Sequence, residues 1–453
     1  MNQFQSGIDK PTMEYTPNKS TQYFSKLSNY IFLAGLPNFW IQELDFPKNF
    51  IKLYSYLSKI INWLLYVLVL LEFGAFFTQH NLTEKQNSDR LVFGLSQPIM
   101  STYRIIITYH LDKVKKLLFR MSFELKRLYN DEKVERNMIR KSKFYSFSFL
   151  CLCNLSLIFY GFDALMRSMK TGVVFSTLIT AWPAIQDPST AASVMRVGSY
   201  LAWWVFMTRV YGTFAVVLSM MICLEHQYKN LSSYFRSLNN IFQLKNLDQY
   251  QKEIKYESGL KIGLKWHSET IWCKQQVQDT CSALFVGQIL LNICVLVLLM
   301  TQMLVSKTFS FVFATVSTSV ATLISTGVFM WTAGDVSVEA SYLPTAIYSS
   351  GWENCEVLTS RVRKLAVVAM AQAQEPVVIE GFGVIQFSYQ SYLSVSIPNK
   401  HLVIMLHNNF SVCTLLLIII YVIITTFSSK EIDFTYALAL RTHRFNPTAA
   451  TTE

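Results

Sequence analysis

Long stretches of apolar residues recur along the chain, and they restrict what it can fold into. A helix that crosses a membrane needs about 20 predominantly apolar residues. Stretches of about that length lie at 60–77, 145–166, 197–224, 282–304 and 309–332. A weaker sixth stretch, 91–110, contains Pro98 and Arg104 but is otherwise apolar. The pattern predicts an all-α membrane protein, with a seventh span near the carboxyl end.

The composition agrees with a membrane protein. Of the 453 residues, 51% are hydrophobic and 15% are charged, whereas a soluble domain is about a quarter charged. The formal net charge is +11, but the basic residues lie between the apolar stretches. We therefore expect lipid headgroups, and not nucleic acid, to be their counterions.

Lysine and arginine alternate in density from one loop to the next, which predicts the orientation in the membrane. The segments 1–56, 111–144, 225–279 and 333–380 hold 27 of them, while 78–90, 167–195 and 305–308 hold 5. Loops rich in positive charge stay in the cytoplasm, so the amino terminus is predicted to be cytoplasmic. Asn81, in a sequon of the first outer loop, is then a candidate glycosylation site. The polar first 56 residues indicate no cleavable signal.

The inner segments have helical patterns of their own. In 111–144, apolar residues recur at helical spacing between charges, which predicts that the inner ends of spans two to five continue as helices and form a cytoplasmic bundle. The outer loop 167–195 alternates Gly172, Pro183 and Pro188 with apolar side chains. We expect it to be a folded lid.

Aromatic side chains are dense in the outer halves of spans three, four and six. Such residues usually pack or face lipid, but their convergence at one depth favours a small apolar ligand pocket. Tyr160, Trp204 and Phe311 belong to this cluster. The predicted ligand contacts are Phe159, Phe162, Tyr200, Trp203, Phe206, Phe309 and Phe313, with Ser96, Gln97 and Thr208, and also Ser317, as polar partners.

Two ionisable residues lie inside predicted spans, where charge is costly. Glu72 is one turn from the outer end of the first span and could reach the headgroups. Arg209 lies near the middle of the fourth span. We expect its side chain to face the bundle interior or a wet cavity, with a carboxylate or carbonyl groups as partner.

No arrangement of residues indicates an enzyme. The chain has no glycine-rich phosphate loop, HExxH or CxxC motif, and its eight cysteines lack metal-ligand spacing, so we expect no metal, cofactor or disulfide framework. A transporter would show two matching halves with broken helices. A transporter therefore stays a weaker alternative, and a common G-protein-coupled receptor would have the opposite orientation.

Several blocks of sequence carry a resemblance to a known family. They are AWP at 181–183, AWWVFMTRV at 202–210, MWTAGDVSVEAS at 330–341, LPTAIYSSGW at 343–352, RVRKL at 361–365, AQAQ at 371–374, GFG at 381–383 and SYQSY at 388–392. Between about residues 40 and 395 the chain resembles insect odorant receptors, in particular the moth sex-pheromone branch.

The resemblance implies a receptor for volatile ligands with seven spans and a cytoplasmic amino terminus. It implies a subunit of a ligand-gated cation channel, assembled as a heterotetramer with an olfactory co-receptor in the plasma membrane of sensory-neuron dendrites. The cytoplasmic helices would form the assembly anchor, with Tyr348 and Trp352 as packing residues. Gln386, Tyr389 and Ser391 would line the pore.

The chain departs from the family pattern after Val395. Pro398 and Lys400 interrupt the expected pore helix, and a new apolar run occupies 402–427. Either 384–397 is the inner half of a broken seventh span, or 396–453 makes a non-conducting or regulatory variant. The predicted organisation is then 1–56 cytoplasmic, 57–332 spans and pocket, 333–395 anchor and start of the seventh span, and 396–453 divergent.

Overall fold

A computed structural model describes residues 17–305, 309–381 and 385–396. Within them the chain is almost entirely helical. The helices are α1 (Lys19–Leu33), α2 (Lys48–Thr78), α3 (Glu84–Tyr109), α4 (Leu111–Phe119), α5 (Glu132–Thr171), α6 (Thr190–Leu238), α7 (Gln249–Val305), α8 (Phe309–Ser341), α9 (Leu343–Tyr348), α10 (Thr359–Gln374) and α11 (Tyr389–Ser396). A two-residue hairpin, β1 (Glu380–Gly381) paired antiparallel with β2 (Ile385–Gln386), precedes α11.

Five of the described helices are long and apolar enough to cross a membrane: α2, α5, α6, α7 and α8. They contain the five clear apolar stretches of the sequence, so the prediction of an all-α membrane protein is confirmed. The weaker stretch 91–110 forms most of α3, which continues through Pro98 without a break. This helix does not reach the same apolar level, but it packs against α2, α6 and α7.

The spanning helices differ in how much of their apolar surface the protein itself covers. The most apolar windows of α6 and α7 are 78% and 72% buried, against 28% and 22% for α2 and α5. Trp63, Leu64 and Leu70 on α2 are largely exposed. In a membrane such side chains face lipid tails, so α6 and α7 form the centre of the bundle and α2 and α5 its edge.

The central helices are much longer than a membrane is thick. With 40, 49 and 57 residues, α5, α6 and α7 extend roughly 60, 74 and 86 Å at 1.5 Å per residue. The hydrocarbon core of a bilayer is only about 30 Å thick. All three helices therefore continue beyond it, and α6 and α7 pack with α9 and α10 in a further helical bundle. The position of this bundle in the cytoplasm and its role as an anchor stay predictions.

A buried carboxylate joins α7 to the segment that starts α10. The backbone N–H groups of Glu356, Val357 and Leu358 donate to the Glu253 carboxylate at 2.7, 3.0 and 2.6 Å. Val357 also reaches the second oxygen at 3.1 Å. Because backbone donors converge on one charged group, the link fixes the α9–α10 connection against α7.

Hydrogen bonds join the amino-terminal helix α1 to the first turn of α5. The N–H and hydroxyl of Ser20 donate to Oε1 of Glu135 at 2.9 and 2.5 Å, and the Lys126 ammonium lies 3.6 Å from the same carboxylate. Burial lowers the pKa of Lys126, although the neighbouring Glu135 carboxylate opposes that shift. The contact places α1 alongside α5, and a groove lies between the two helices.

The outer loop between α5 and α6 is folded, as its composition predicts. The Gln79 amide donates to the carbonyls of Thr180, Ala181 and Pro183 at 2.9, 3.2 and 3.1 Å. The Arg196 guanidinium bonds carbonyls further along the same loop. These contacts hold the loop over the outer end of α2.

Arg209 is buried, with 2% of its surface exposed. Its guanidinium donates to the carbonyl of Ser58 at 3.3 Å, so a carbonyl is the partner, one of the two kinds expected. It packs on Gly35, whose φ of +93° favours glycine; an added Cβ would lie 2.7 Å from the guanidinium carbon. Glu72 is also buried within the protein, at 1% exposure.

The predicted seventh span does not begin as a helix. Of 384–397, residues 385–386 form β2 and the helix starts only at Tyr389. The backbone N–H of Phe387 instead bonds the carbonyl of Ile379 at 2.9 Å, which turns the chain back before α11. The divergent segment beyond Ser396, including 402–427, lies outside the described residues.

Candidate functional site

A cavity of about 120 Å³ lies inside the helical bundle. Five helices, α3, α5, α6, α7 and α8, contribute to its wall. Most of its lining is apolar, with a few polar side chains among it. The lining residues are Val92, Phe93, Ser96, Met100, Phe149, Cys153, Ser156, Leu157, Tyr160, Trp203, Met207, Val210, Phe214, Gln288, Leu291, Asn292, Val295, Thr318, Ala321, Thr322 and Ser325.

Aromatic rings form one side of the cavity. The Phe93 ring lies 4.8 Å from that of Trp203 and 5.6 Å from that of Tyr160, measured between centroids. Tyr160 and Trp203 are 5.8 Å apart, edge to face. Three helices supply these rings, so they lock α3, α5 and α6 together and leave a rigid, apolar surface toward the space.

Polar side chains of α7 and α8 form the opposite side. The Gln288 amide donates to Oδ1 of Asn292 at 3.0 Å, and the Asn292 amide donates to the Thr326 hydroxyl. Oε1 of Gln288 has no hydrogen-bond partner among the described residues. A buried acceptor without a partner costs roughly 1–3 kcal/mol, and a ligand or water that donates to it would remove that cost.

A second polar pair lies between α5 and α8. The hydroxyls of Ser156 and Thr318 are 2.6 Å apart. The hydroxyl of Tyr160, one turn along α5, is buried without a hydrogen bond among the described residues. The site is therefore a mainly apolar cavity with a small number of converging hydroxyl and amide groups, which is the usual design of a small-molecule binding site.

Comparison with known proteins identifies the family. The family described as 7tm Odorant receptor matches residues 87–396, which is more than half of the 453-residue chain. The chain belongs to this odorant receptor family. It is therefore a receptor of a multi-pass membrane family and not an enzyme, as the sequence predicts at that level. The receptor matches no curated protein sequence.

Solved structures support the same fold. The olfactory receptor OR5 of the insect Machilis hrabei in complex with eugenol superposes with a TM-score of 0.67 at 15% identity, covering 86% of this chain and 98% of that one. A second structure of OR5 from Machilis hrabei superposes with a TM-score of 0.66 at 14% identity, with the same coverage. At such identity the likeness concerns the fold, and the receptor's architecture is that of an insect olfactory receptor.

The predicted ligand contacts are distributed unevenly around the cavity. Ser96 and Trp203 line it. Phe206 and Gln97 are buried in the bundle but lie outside its lining. Phe159 and Phe313 also lie outside the lining, and their rings pair at 5.7 Å. The remaining predicted contacts outside the lining are Tyr200, Phe162, Thr208 and Ser317. Phe309 starts α8, and its side chain is outside the described set.

Some lining residues carry no prediction from the sequence. Gln288 and Asn292 stand one turn apart near the middle of the mainly apolar stretch 282–304. A polar pair at that spacing inside a span is itself a signal of function, because it is costly toward lipid. Tyr160 belongs to the predicted aromatic cluster but not to the predicted contacts. Aromatic enrichment is a feature of α5, α6 and α8 and gives no signal for the polar residues of α7.

One of the residues expected in the pore, Tyr389, contacts a charge cluster. The Lys141 ammonium is 2.5 Å from both the Glu225 and the Asp335 carboxylates, which links α5, α6 and α8. The Tyr389 hydroxyl donates to Asp335. Tyr389 thereby connects α11 to this cluster, and its place in a pore remains a prediction.

The other predicted sites are on the surface or at turns. Gln386 bonds Glu380 at 3.3 Å, and Ser391 bonds Ser388 at 3.0 Å. Tyr348 is 62% exposed, and its ring lies 6.2 Å from that of Trp352. Asn81 is exposed in the turn between α2 and α3, with a φ of 57°. Within the described residues, no group of three or more acidic, histidine or cysteine side chains could hold a metal ion.

Proposed function

We propose that the receptor binds a small, mainly apolar volatile in this cavity and is the ligand-binding subunit of a heteromeric cation channel formed with an olfactory co-receptor. The cavity is the main support for this proposal, because it has an aromatic wall on one side and the unpaired Gln288 oxygen on the other. Eugenol, which the related OR5 structure contains, is a ligand of this chemical kind. The site would lie in the plasma membrane of a sensory-neuron dendrite.

The size of the cavity sets a first limit on the ligand. An engineered cavity of roughly 150 Å³ binds benzene, and pockets for drug-sized ligands measure roughly 300–1,000 Å³. At about 120 Å³ the space suits a molecule no larger than a single ring or a short chain. A ligand with a longer chain requires the cavity to widen.

A sex pheromone as ligand would require such widening toward the outer face. One turn outward from Ser156 and Thr318, the rings of Phe159 and Phe313 close the gap between α5 and α8. If these rings part, an extended chain could follow the gap and gain roughly 0.8 kcal/mol for each methylene buried. That gain can favour an open channel only to the extent that the open state binds the ligand more tightly.

Recording from cells that express the receptor with a co-receptor tests the proposal. Two panels are compared, single-ring volatiles and alcohols, aldehydes and acetates of fourteen to eighteen carbons. Inward current with either panel supports an odorant-gated channel, and current with the second alone supports a pheromone receptor. Silence to both panels, with surface expression confirmed, contradicts the proposal.

A pair of matched variants tests the cavity. Asn292→Leu removes a polar group that lines it, and Asn154→Leu makes the same change on α5, where the amide bonds only the Leu150 carbonyl and lies outside the lining. A lost hydrogen bond of about 1 kcal/mol raises the half-maximal ligand concentration roughly fivefold. We expect that shift in Asn292→Leu alone; equal shifts would place the ligand elsewhere.

A second candidate function is a non-conducting or regulatory receptor. The family match ends at residue 396, next to Val395, where the sequence departs from the family pattern, and this supports the candidate. Replacing 396–453 with a typical family ending should then convert a silent receptor into a conducting one. If the unmodified chain already conducts, this candidate is wrong.

A further inference from the structure

A long groove runs between α1 and the lower part of α5. A cavity of about 730 Å³ and a shallow, open depression along one face of α5 form it. They share Ile139, Lys143 and Phe147 in their walls, so the space is continuous. None of the residues of the groove lines the ligand cavity.

The groove is strongly basic. Its lining contains five cations, Lys19, Lys26, Arg136, Arg140 and Lys143, and no carboxylate. All five are exposed. Glu132, at one end of the groove, lies 3.5 Å from the Lys19 ammonium and 3.2 Å from the Arg136 guanidinium.

Three of these cations keep their charge uncompensated. Lys26, Arg140 and Lys143 form no salt bridge among the described residues. Arg140 donates to the neutral amide of Asn137 at 3.1 Å, and the Lys143 ammonium lies 5.9 Å from the centre of the Tyr23 ring. These neighbours orient the side chains without neutralising them, so the groove keeps a local charge that an anion can balance.

A buried hydroxyl provides independent evidence for a bound group. Ser146 lines the cavity of the groove, is only 6% exposed, and its hydroxyl has no hydrogen-bond partner within the described chain. A hydroxyl in such a position ordinarily finds a partner. A phosphate oxygen in the groove could accept a hydrogen bond from this hydroxyl while the cations balance the negative charge.

The groove also lies where a membrane surface is expected. Its α5 residues, 136–147, include the cytoplasmic end of the predicted span 145–166. Phe144 and Phe147 are each 65% exposed and Tyr30 is 71% exposed. Aromatic side chains beside cations at such a boundary are typical of a protein surface that meets lipid headgroups.

We propose that this groove binds the headgroup of an anionic phospholipid of the cytoplasmic leaflet. The acyl chains would lie along the exposed aromatic side chains of α5, and the phosphate among Lys26, Arg140, Lys143 and Ser146. Basic clusters directly cytoplasmic of a span bind anionic lipids with a contribution from each cation. A free phosphate would use the cations but not the aromatic surface, and this difference separates the two ligands.

Binding to the purified full-length receptor tests the proposal. The receptor in neutral detergent is titrated with fluorescent short-chain phosphatidylserine, with phosphatidylcholine as the uncharged lipid and inorganic phosphate as competitor. The variant K26Q/R140Q/K143Q removes the three uncompensated charges. From the usual contribution of one cation near an anionic lipid surface, we expect roughly fivefold weaker binding per charge and about 100-fold for all three.

A matched variant separates the groove from general charge. K245Q/K255Q/K265Q removes three exposed lysines on and before α7, and its affinity should stay within twofold of the wild type. The single variants K26Q, R140Q and K143Q give the same test if the triple variant does not fold. Equal losses in both triple variants, unchanged affinity in the groove variants, or inorganic phosphate competing as well as phosphatidylserine would each overturn the proposal.

Discussion

Replacing Glu253 with glutamine should open the anchor bundle locally. Two carboxylate oxygens accept the three backbone N–H groups of 356–358 in the folded receptor, and Glu253 is fully buried. In Glu253→Gln the amide nitrogen cannot accept, so at least one N–H group loses its partner and the remaining bonds lose their charge. Hydrogen bonds to charged groups contribute roughly 1.5–3 kcal/mol. We expect the local opening free energy to fall by about 3 kcal/mol.

Cys355 provides the assay for that opening. Its thiol is free and 4% exposed, directly before the three N–H groups. Burial, with the nearby Glu253 and Glu353 carboxylates, raises its pKa to about 12, so the folded thiol reacts slowly at neutral pH. Alkylation then requires local opening, and 3 kcal/mol corresponds to a labelling rate roughly 100-fold higher. Mass spectrometry of the peptide containing Cys355 measures the rate.

Glu353→Gln is the matched control. Glu353 is exposed and near the same thiol, so this variant also removes one negative charge without removing the buried link. We expect its labelling rate to stay within a few-fold of the wild type. The reasoning is refuted if Glu253→Gln labels no faster than Glu353→Gln, because the buried carboxylate would then contribute nothing to closure.

Two further predictions concern stability, measured by thermal unfolding in detergent. Although burial opposes it, hydrogen bonds from Ser233 and the first turn of α5 lower the pKa of Asp131 below 3.8. Its charge therefore stabilises the fold above that pH and stops doing so as the pH falls through the lowered value. In Asp131→Asn the side chain can still cap α5 but carries no charge. We expect this variant to be about 1 kcal/mol less stable than the wild type at neutral pH and equally stable below that pH range. A stability difference that does not depend on pH would contradict this. Gly35→Ala should cost about 1–3 kcal/mol more than Gly172→Ala, because both have positive φ but only Gly35 meets a neighbouring side chain; equal losses would exclude the packing explanation.

Length and periodicity were sufficient for most of the fold. The apolar stretches predict the spanning helices, because a backbone in lipid has few alternatives to a helix. The charged inner segments with helical spacing predict the long extensions of these helices. The start of the last helix was not predictable in this way. The segment 384–397 has a suitable composition for a helix, but Glu380 pairs with Gln386 in a local hairpin, and apolar length alone does not distinguish a short strand from the start of a helix.

The candidate site was less accessible to sequence reasoning. Aromatic enrichment identifies helices that converge, and Trp203 does line the cavity. It does not say which side of a helix faces inward: Phe162 and Phe313 are 50% and 45% exposed although they belong to the same cluster. Rotation of each helix about its axis is set by packing, so the sequence marks Asn292 as an unusual polar residue in its span, but only the structure places it in the cavity wall.

The unbroken course of α7 has a mechanical consequence. Asn292, in the cavity wall, and Glu253, in the anchor, lie 39 residues apart on one helix (292 − 253), which is roughly 58 Å along its axis. Such a helix acts as a lever arm. A tilt of about 2° around the cavity end would displace the anchor end by about 2 Å, as much as the helix shifts that reorganise subunit interfaces. Binding of a small molecule that separates the helices only slightly could therefore displace the anchor end of α7.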